Sequence, residues 1–212
     1  MKISADHSIN PLTRSDIHAV ARIHMKAFDD SALTHLGLEP VMKYYHYLLT
    51  FQNKNFNIGC FDHNNSLLGF CFSGMYSGSL SGFLNQNRSF LRNWIMLHPW
   101  KIFNPLILNR IKIALRIYSK PFVARNNIPP SQITSFGILS IAVDPDSQGS
   151  GFGKIIMEAV EQQARDSGVL HLHLTVHQNN MKAVQFYEKC GWQKVINNIG
   201  EWDGRMAKQL TS

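Results

Sequence analysis

Apolar residues recur along this chain with helical and strand periods in turn. Ile17, Val20, Ala21, Ile23, His24, Ala27 and Phe28 are spaced for one buried face of a helix. Thr13 precedes it with Asp16 three residues on, a weak capping box. Asp29-Asp30-Ser31 breaks the pattern. Val41, Tyr44, Tyr45, Tyr47, Leu48 and Leu49 predict a second helix over 39–51, with Pro40 suited to its first position. A strand is expected over 3–12, ended by Asn10-Pro11. The runs 56–61 and 66–72, joined by His63-Asn64-Asn65, read as an antiparallel hairpin. The Gly- and Ser-rich stretch 74–82 reads as a loop. Helical pieces over 89–97 and 105–118 predict an inserted helical hairpin within 84–130. Then follow a strand over 132–143, a helix over 151–167, a strand over 169–176 and a short helix from 180 or 181 to 190. Gly191 suits that helix's left-handed cap. Strands over 192–196 and 205–210 close the chain, joined by a polar loop at 197–204.

The densest information lies between Leu139 and Gly153. Leu139, Ile141, Ala142 and Val143 form a buried run, and Asp144-Pro145 stops it, because proline cannot extend a central ladder. Gly149, Gly151 and Gly153 fall on alternate positions. Ile155, Ile156, Ala159, Val160 and Ala164 then share one side of a helix, opposite Glu158, Glu161, Gln162 and Arg165. A strand, a glycine-rich turn and a helix start make a phosphate seat. Glycine lets the backbone close in, and the unpaired amides and positive dipole end of the helix face the anion. The expectation is a phosphate-bearing cofactor at the N-terminus of the helix beginning near Gly151.

Composition changes this picture in three ways. The length of 212 residues fits one domain, 1–212, carrying a basic helical insertion at about 84–130. No apolar run approaches the ~18 residues of a spanning helix, and Met1 to His7 lack a signal-type apolar region. Cys60, Cys71 and Cys190 stand singly, with no zinc spacing, so reduced thiols in a cytoplasm and no metal are expected. The net charge of +7 admits an anionic cofactor, a nucleic acid or an anionic membrane surface. Much of the charge falls in 84–130, where Arg88, Arg92, Lys101, Arg110, Lys112, Arg116, Lys120 and Arg125 meet no Asp or Glu. The plainest reading of the insertion is structural. It also suits an anionic acceptor such as a nucleotide-linked amino sugar, a dimer contact, or peripheral association with anionic lipid through Trp94, Trp100, Phe103 and Ile107. Nucleic acid is disfavoured, since no stacking or groove-reading motif accompanies the charge.

Gln148-Gly149-Ser150-Gly151-Phe152-Gly153 resembles the (Arg or Gln)-x-x-Gly-x-(Gly or Ala) loop of the GCN5-related N-acetyltransferase (GNAT) family, and Leu139 to Pro145 its preceding strand. Asn180-Met181-Lys182-Ala183-Val184-Gln185-Phe186-Tyr187-Glu188-Lys189-Cys190-Gly191-Trp192 is similar to the second signature, Asn-x-x-Ala-x-x-Phe-Tyr-x-x-x-Gly-(Phe or Trp). The resemblance covers roughly 134–195. It implies an α/β fold with a mixed, mostly antiparallel sheet of six to seven strands, splayed near the middle and flanked by helices. Acetyl-CoA or another acyl-CoA is the implied co-substrate. Its pyrophosphate would lie on Gln148, Gly149, Ser150, Gly151, Phe152, Gly153 and Lys154. Its pantetheine arm would pair with main chain at Ile141, Ala142 and Val143 and meet Asn180. Tyr187 would be the general acid for the departing thiolate.

Each feature also has a plainer reading. Lys154 suits a solvated first turn, and Tyr187 a core aromatic. His171, His173 and His177 alternate with leucines as a polar sheet face would, or as metal ligands would. Many members of the resembled family carry a carboxylate on or near the central strand, yet 136–143 has none. Asp29, Asp30, Glu39, His173, Glu201, Asp203 or a water chain remain open as the base. The leading expectation is transfer of acetyl to a primary amine of a small molecule, an amino sugar or amino-acid derivative, in a ternary complex. A silent CoA-binding module and a membrane-surface enzyme using longer acyl chains are the alternatives. Monomer and homodimer both stay open.

Overall fold

The computed structural model describes residues 7–50, 55–75, 79–100, 136–211, Pro105 and Leu108. The described chain divides into two compact units, a sheet unit drawn from 1–13, 51–76 and 134–212, and a helical unit drawn from 14–50 and 77–133. The expected helix at 105–118 lies outside the described residues, apart from Pro105 and Leu108, which are helical.

The sheet unit holds β1 (His7–Pro11), β2 (Asn55–Asp62), β3 (Leu67–Gly74), β4 (Phe136–Val143), β5 (His171–Thr175), β6 (Gln193–Ile196) and β7 (Trp202–Gln209). They form one open seven-stranded sheet in the order β1-β2-β3-β4-β5-β7-β6. Only β4 and β5 run parallel. β1 continues through the expected stop to Pro11, which faces Ile58. β1 is an edge strand, where proline's missing N–H costs no ladder bond. The hairpin turn is as expected, with Asn65 at φ 60. The last loop is shorter than expected, because β7 already pairs at Trp202 with Ile196. The Asn197 side chain accepts from Ile199 and Glu201 at 3.1 and 2.9 Å and closes that turn.

Helices α6 (Phe152–Asp166) and α7 (Met181–Lys189) complete this unit's core. Ile156, Met157, Val160 and Ala164 of α6 and Val184 of α7 are buried with Phe136, Ile138, Leu172, Leu174 and Met206. Burial of each larger side chain contributes about 1.5–3 kcal/mol. Glu161, 5% exposed, lies on the same buried side. Both its oxygens accept from Lys208 Nζ at 2.7 Å, and that nitrogen also donates to the Cys190 carbonyl at 2.5 Å. One cation therefore ties β7 to α6 and to the end of α7.

The helical unit holds α1 (Ile17–Ala27), α2 (Ala32–Leu36), α3 (Leu38–Thr50), α4 (Ser79–Gln86) and α5 (Arg88–Leu97). A 3-10 turn at Arg14–Asp16 precedes α1, so the α-helix proper starts at Ile17, with no side-chain cap from Asp16. Ile17, Val20, Ala21, Ile23 and His24 form its buried face. His24 Nδ1 lies 2.7 Å from the Tyr45 hydroxyl and Nε2 lies 3.3 Å from Ser31 Oγ. Ser31 in turn caps α2, an element without a sequence signal, by accepting from Thr34 N at 3.0 Å. The expected loop at 79–82 is instead the first half of α4. Tertiary packing overrides weak propensity there: Phe83, 4% exposed, sits edge-on to Tyr44 and Tyr47 at 5.3 and 5.7 Å. A Cβ added at Gly82 would run into the Tyr47 hydroxyl, so a larger residue there must displace the tyrosine's end.

Candidate active site

β4 is paired with β3 from Gly137 to Val143, but with β5 only at Phe136, Gly137 and Ile138. The sheet therefore opens beyond Ile138. The opening begins at a β-bulge: Phe72 faces Ser140 and Ser73 faces Ile138, which leaves Leu139 as the extra residue. Bulges bend and twist a strand, and this one falls where pairing with β5 ends. Beyond it, Asp144 N donates to Leu68 O at 2.8 Å, so Val143 and Gly69 form a non-hydrogen-bonded pair. By the alternation of an antiparallel ladder, Ala142 turns its main-chain groups to β3. Ile141 and Val143 turn theirs to the open side. Gln148 Nε2 reaches the Val143 carbonyl at 3.3 Å.

The glycine loop continues from this opening. The Asp144 side chain accepts from Asp146 N at 3.1 Å and organises a 3-10 turn at Pro145–Ser147. Gly149 and Gly151 follow in the left-handed region, at φ 81 and 88, which disfavours any side chain. Among the described residues, the amides of Gly149, Ser150, Gly151, Phe152 and Gly153 have no acceptor, and Lys154 N makes the first turn bond, to Gly151 O at 3.0 Å. Five successive donors thus gather at the positive end of α6. A Cβ on Gly153 would lie 3.3 Å from the Phe186 ring, so α6 starts hard against α7. Lys154 is exposed and 3.6 Å from Glu158, one helical turn on.

On α7, Asn180 Oδ1 caps the helix by accepting from Ala183 N at 3.1 Å, which leaves its side-chain NH2 to donate elsewhere. Phe186 and Tyr187, although adjacent, both pack on the sheet unit's core. Tyr187 is 5.3 Å from the Phe186 ring and 6.2 Å from Trp192. Burial, reinforced by the neighbouring Cys71 and Cys190 thiols, pushes its phenol well above the usual value. The hydroxyl therefore stays protonated at physiological pH. Burial also pushes up the thiols of Cys71 and Cys190, which makes them packing groups rather than nucleophiles.

The candidate bases fall in both units. His173 faces Gly137 on the second of the three β4–β5 rungs, one before the sheet opens. Its ring lies over that glycine, where a Cβ would be 2.8 Å from Nε2. Partial burial lowers its pKa, against the opposing effect of a hydrogen bond to the Phe136 backbone. His171 and Thr175 share its outward face, whereas His177 lies past the end of β5. Asp203 is exposed and committed to Arg205, which holds its carboxyl below the usual range, with Nε 2.9 Å from Oδ2. Glu201 lies in the β6–β7 turn. Asp29, Asp30 and Glu39 belong to the helical unit. Among the described residues no three His, Cys, Asp or Glu side chains gather at metal-ligand range. The bulge at Leu139 and the His173–Gly137 stack had no sequence signal of their own. Only the pairing of β4 with β5 reveals them.

A parallel joint opened by a bulge and followed by an amide-lined helix start defines an acyl-CoA N-acyltransferase fold. Residues 127–192 match the Acetyltransferase (GNAT) family. The ribosomal protein bS18-alanine N-acetyltransferase of Escherichia coli K12 is 35% identical over 71 residues, 32% of this chain and 48% of that protein. The mycothiol acetyltransferase of Nocardiopsis dassonvillei is 40% identical over 52 residues, 24% of this chain and 16% of that one. The chain thus spans less than half the length of these curated relatives. Among solved structures, the ribosomal-protein-S18-alanine N-acetyltransferase of Escherichia coli superposes with a TM-score of 0.55 at 17% identity, covering 97% of this chain and 95% of that one. PaiA N-acetyltransferase from Thermoplasma acidophilum, in complex with coenzyme A, superposes with a TM-score of 0.57 at 12% identity, covering 96% and 98%. The match over 127–192 and the shared fold support the GNAT acetyltransferase family for this chain.

Proposed function

We propose that this protein is an acetyl-CoA-dependent N-acetyltransferase whose acceptor is a primary amine of a small molecule, an amino sugar or amino-acid derivative. One observation carries the reading. The outward main chain of Ile141 and Val143 runs into five unpaired amides at Gly149 to Gly153. That frame fits acetyl-CoA part by part. Extended main chain suits the amide-bearing pantetheine arm, as an added strand would be held, and the amide cluster suits a pyrophosphate. Asn180 has a donor left for the arm. Lys154 stands beside the amides as an exposed cation.

Acetyl-CoA supplies the acyl group as a thioester, and the amine nitrogen replaces sulfur at its carbonyl carbon. The chain's own residues then manage one proton and one developing charge. The Ile141 N–H, on the open side, is a donor for a carbonyl oxygen. The Tyr187 hydroxyl keeps its proton and would be the donor to the departing sulfur. So weak an acid would serve the departing thiolate chiefly by donating a hydrogen bond to its developing charge, and the thiolate would take its proton from solvent on release. His173, kept neutral by partial burial at the root of the opening, is our choice of proton acceptor for the amine. The relatives named for a bS18 alanine and for mycothiol are consistent with amine transfer and leave the acceptor to experiment.

Acetyl-CoA at about 100 times its Kd stabilises by about 2.7 kcal/mol. That is a rise in melting temperature of roughly 5–10 °C for a chain of this size. A flat melting curve with acetyl-CoA would remove the reading. Stabilisation without thiol release across a panel of primary amines would instead favour a silent CoA-binding module. A larger shift with longer acyl-CoAs would move the donor class.

A further inference from the structure

We propose that the C-terminal end of α5 is a docking face for an anionic lipid bilayer. The outward side of α5 follows two lines, Arg88, Arg92, Met96 and then Trp100, beside Ser89, Asn93 and Leu97, all exposed. A solvent-facing helix line is ordinarily polar throughout. This one turns apolar at its last turn and just beyond it, where Met96, Leu97 and, past the cap, Trp100 are 72%, 70% and 63% exposed. The turn is well organised. Trp94 is buried beneath it, the His98 ring stacks on Trp94 at 4.5 Å and His98 Nδ1 lies 3.0 Å from the Trp94 carbonyl. Trp100 stands edge-on to His98 at 5.5 Å. The result is a fixed apolar tip of Met, Leu and Trp next to two arginines, the composition of an interfacial anchor.

Charge selects the occupant. No Asp or Glu occurs between Asp62 and Asp144, while eight Lys and Arg do. A second copy of this chain would present the same cations and repel. A bilayer with anionic headgroups accepts both the charge and the apolar tip. No described helix is long and apolar enough to cross a membrane, so the contact is interfacial.

The test is flotation of the full chain with vesicles of phosphatidylcholine alone and with vesicles containing added phosphatidylglycerol. Binding is expected only to the latter, weakening as salt rises. The variant Met96→Ser/Leu97→Ser/Trp100→Ser should abolish flotation. Arg88→Gln/Arg92→Gln should weaken binding at least about tenfold, because one near-surface cation contributes about fivefold. All five side chains point outward, so circular dichroism and melting should match the parent. If the apolar triple variant fails that control, the arginine pair decides. No flotation with phosphatidylglycerol at low salt overturns the proposal, as does binding that neither variant reduces. An oligomer that the triple variant dissociates would also overturn it, by assigning the face to copy–copy contact.

Discussion

His24 is buried and Tyr187 partly so, both on helices, yet desolvation leaves them opposite tasks. The Tyr187 phenol is pushed up and keeps its proton. Tyr187→Phe retains the ring packed against Phe186 and Trp192 and removes only the hydroxyl. Turnover should fall about a hundredfold or more, while the thermal shift given by acetyl-CoA is retained. A parallel loss of the shift would mean that the residue is structural. His24, enclosed by Tyr45, Phe28 and Ser31, is pushed down to about 4 from an ordinary 6.5. Between those values the unfolded chain binds a proton that the folded chain refuses, so acidification favours unfolding. Stability should fall as pH drops from 6.5 toward about 4, by about 3 kcal/mol in all from this group. Urea midpoints measured across that window should slope less steeply in His24→Gln than in the parent. Equal slopes would exclude His24 as the source.

At the scale of elements, the joint between α6, α7 and β7 depends on Lys208. Its ammonium meets both Glu161 oxygens and the Cys190 carbonyl at the end of α7. Lys208→Met strands a carboxylate that is 7% exposed. The expected cost is about 3–5 kcal/mol, against near neutrality for replacing both partners by apolar groups of similar volume. Denaturant melts of Lys208→Met and of Glu161→Leu/Lys208→Met would separate the two cases, with the double variant recovering most of the loss. Recovery is the informative outcome, because a mere cavity effect would add rather than cancel.

Taken whole, the molecule shows why part of it was legible in sequence. The frame proposed for the cofactor is main chain, and main chain writes itself into sequence as glycines at φ 81 and 88, a proline stop and the capping Asn180. Those signals are local, so both signatures and the order of strands from 132 onward could be read in advance. The rest depends on residues far apart in sequence. Helix formation at 79–82 relies on Tyr44 and Tyr47 packing on Phe83, and the setting of His173 depends on Gly137 on a strand more than thirty residues earlier. No local period announces either contact.

The neighbouring positions of β3 and β4 also set an order of events during synthesis. β3 ends at Gly74 and its partner β4 starts at Phe136, so about sixty residues must leave the ribosome between them. At about 5–20 residues per second this takes about 3–12 s. Throughout that interval the nascent β1-β2-β3 sheet carries an unpaired β3 edge bearing Phe70 and Phe72, both fully buried in the finished fold. Such an edge is a template for pairing with another chain. The emerging polypeptide therefore offers this template before the strand that will cover it exists.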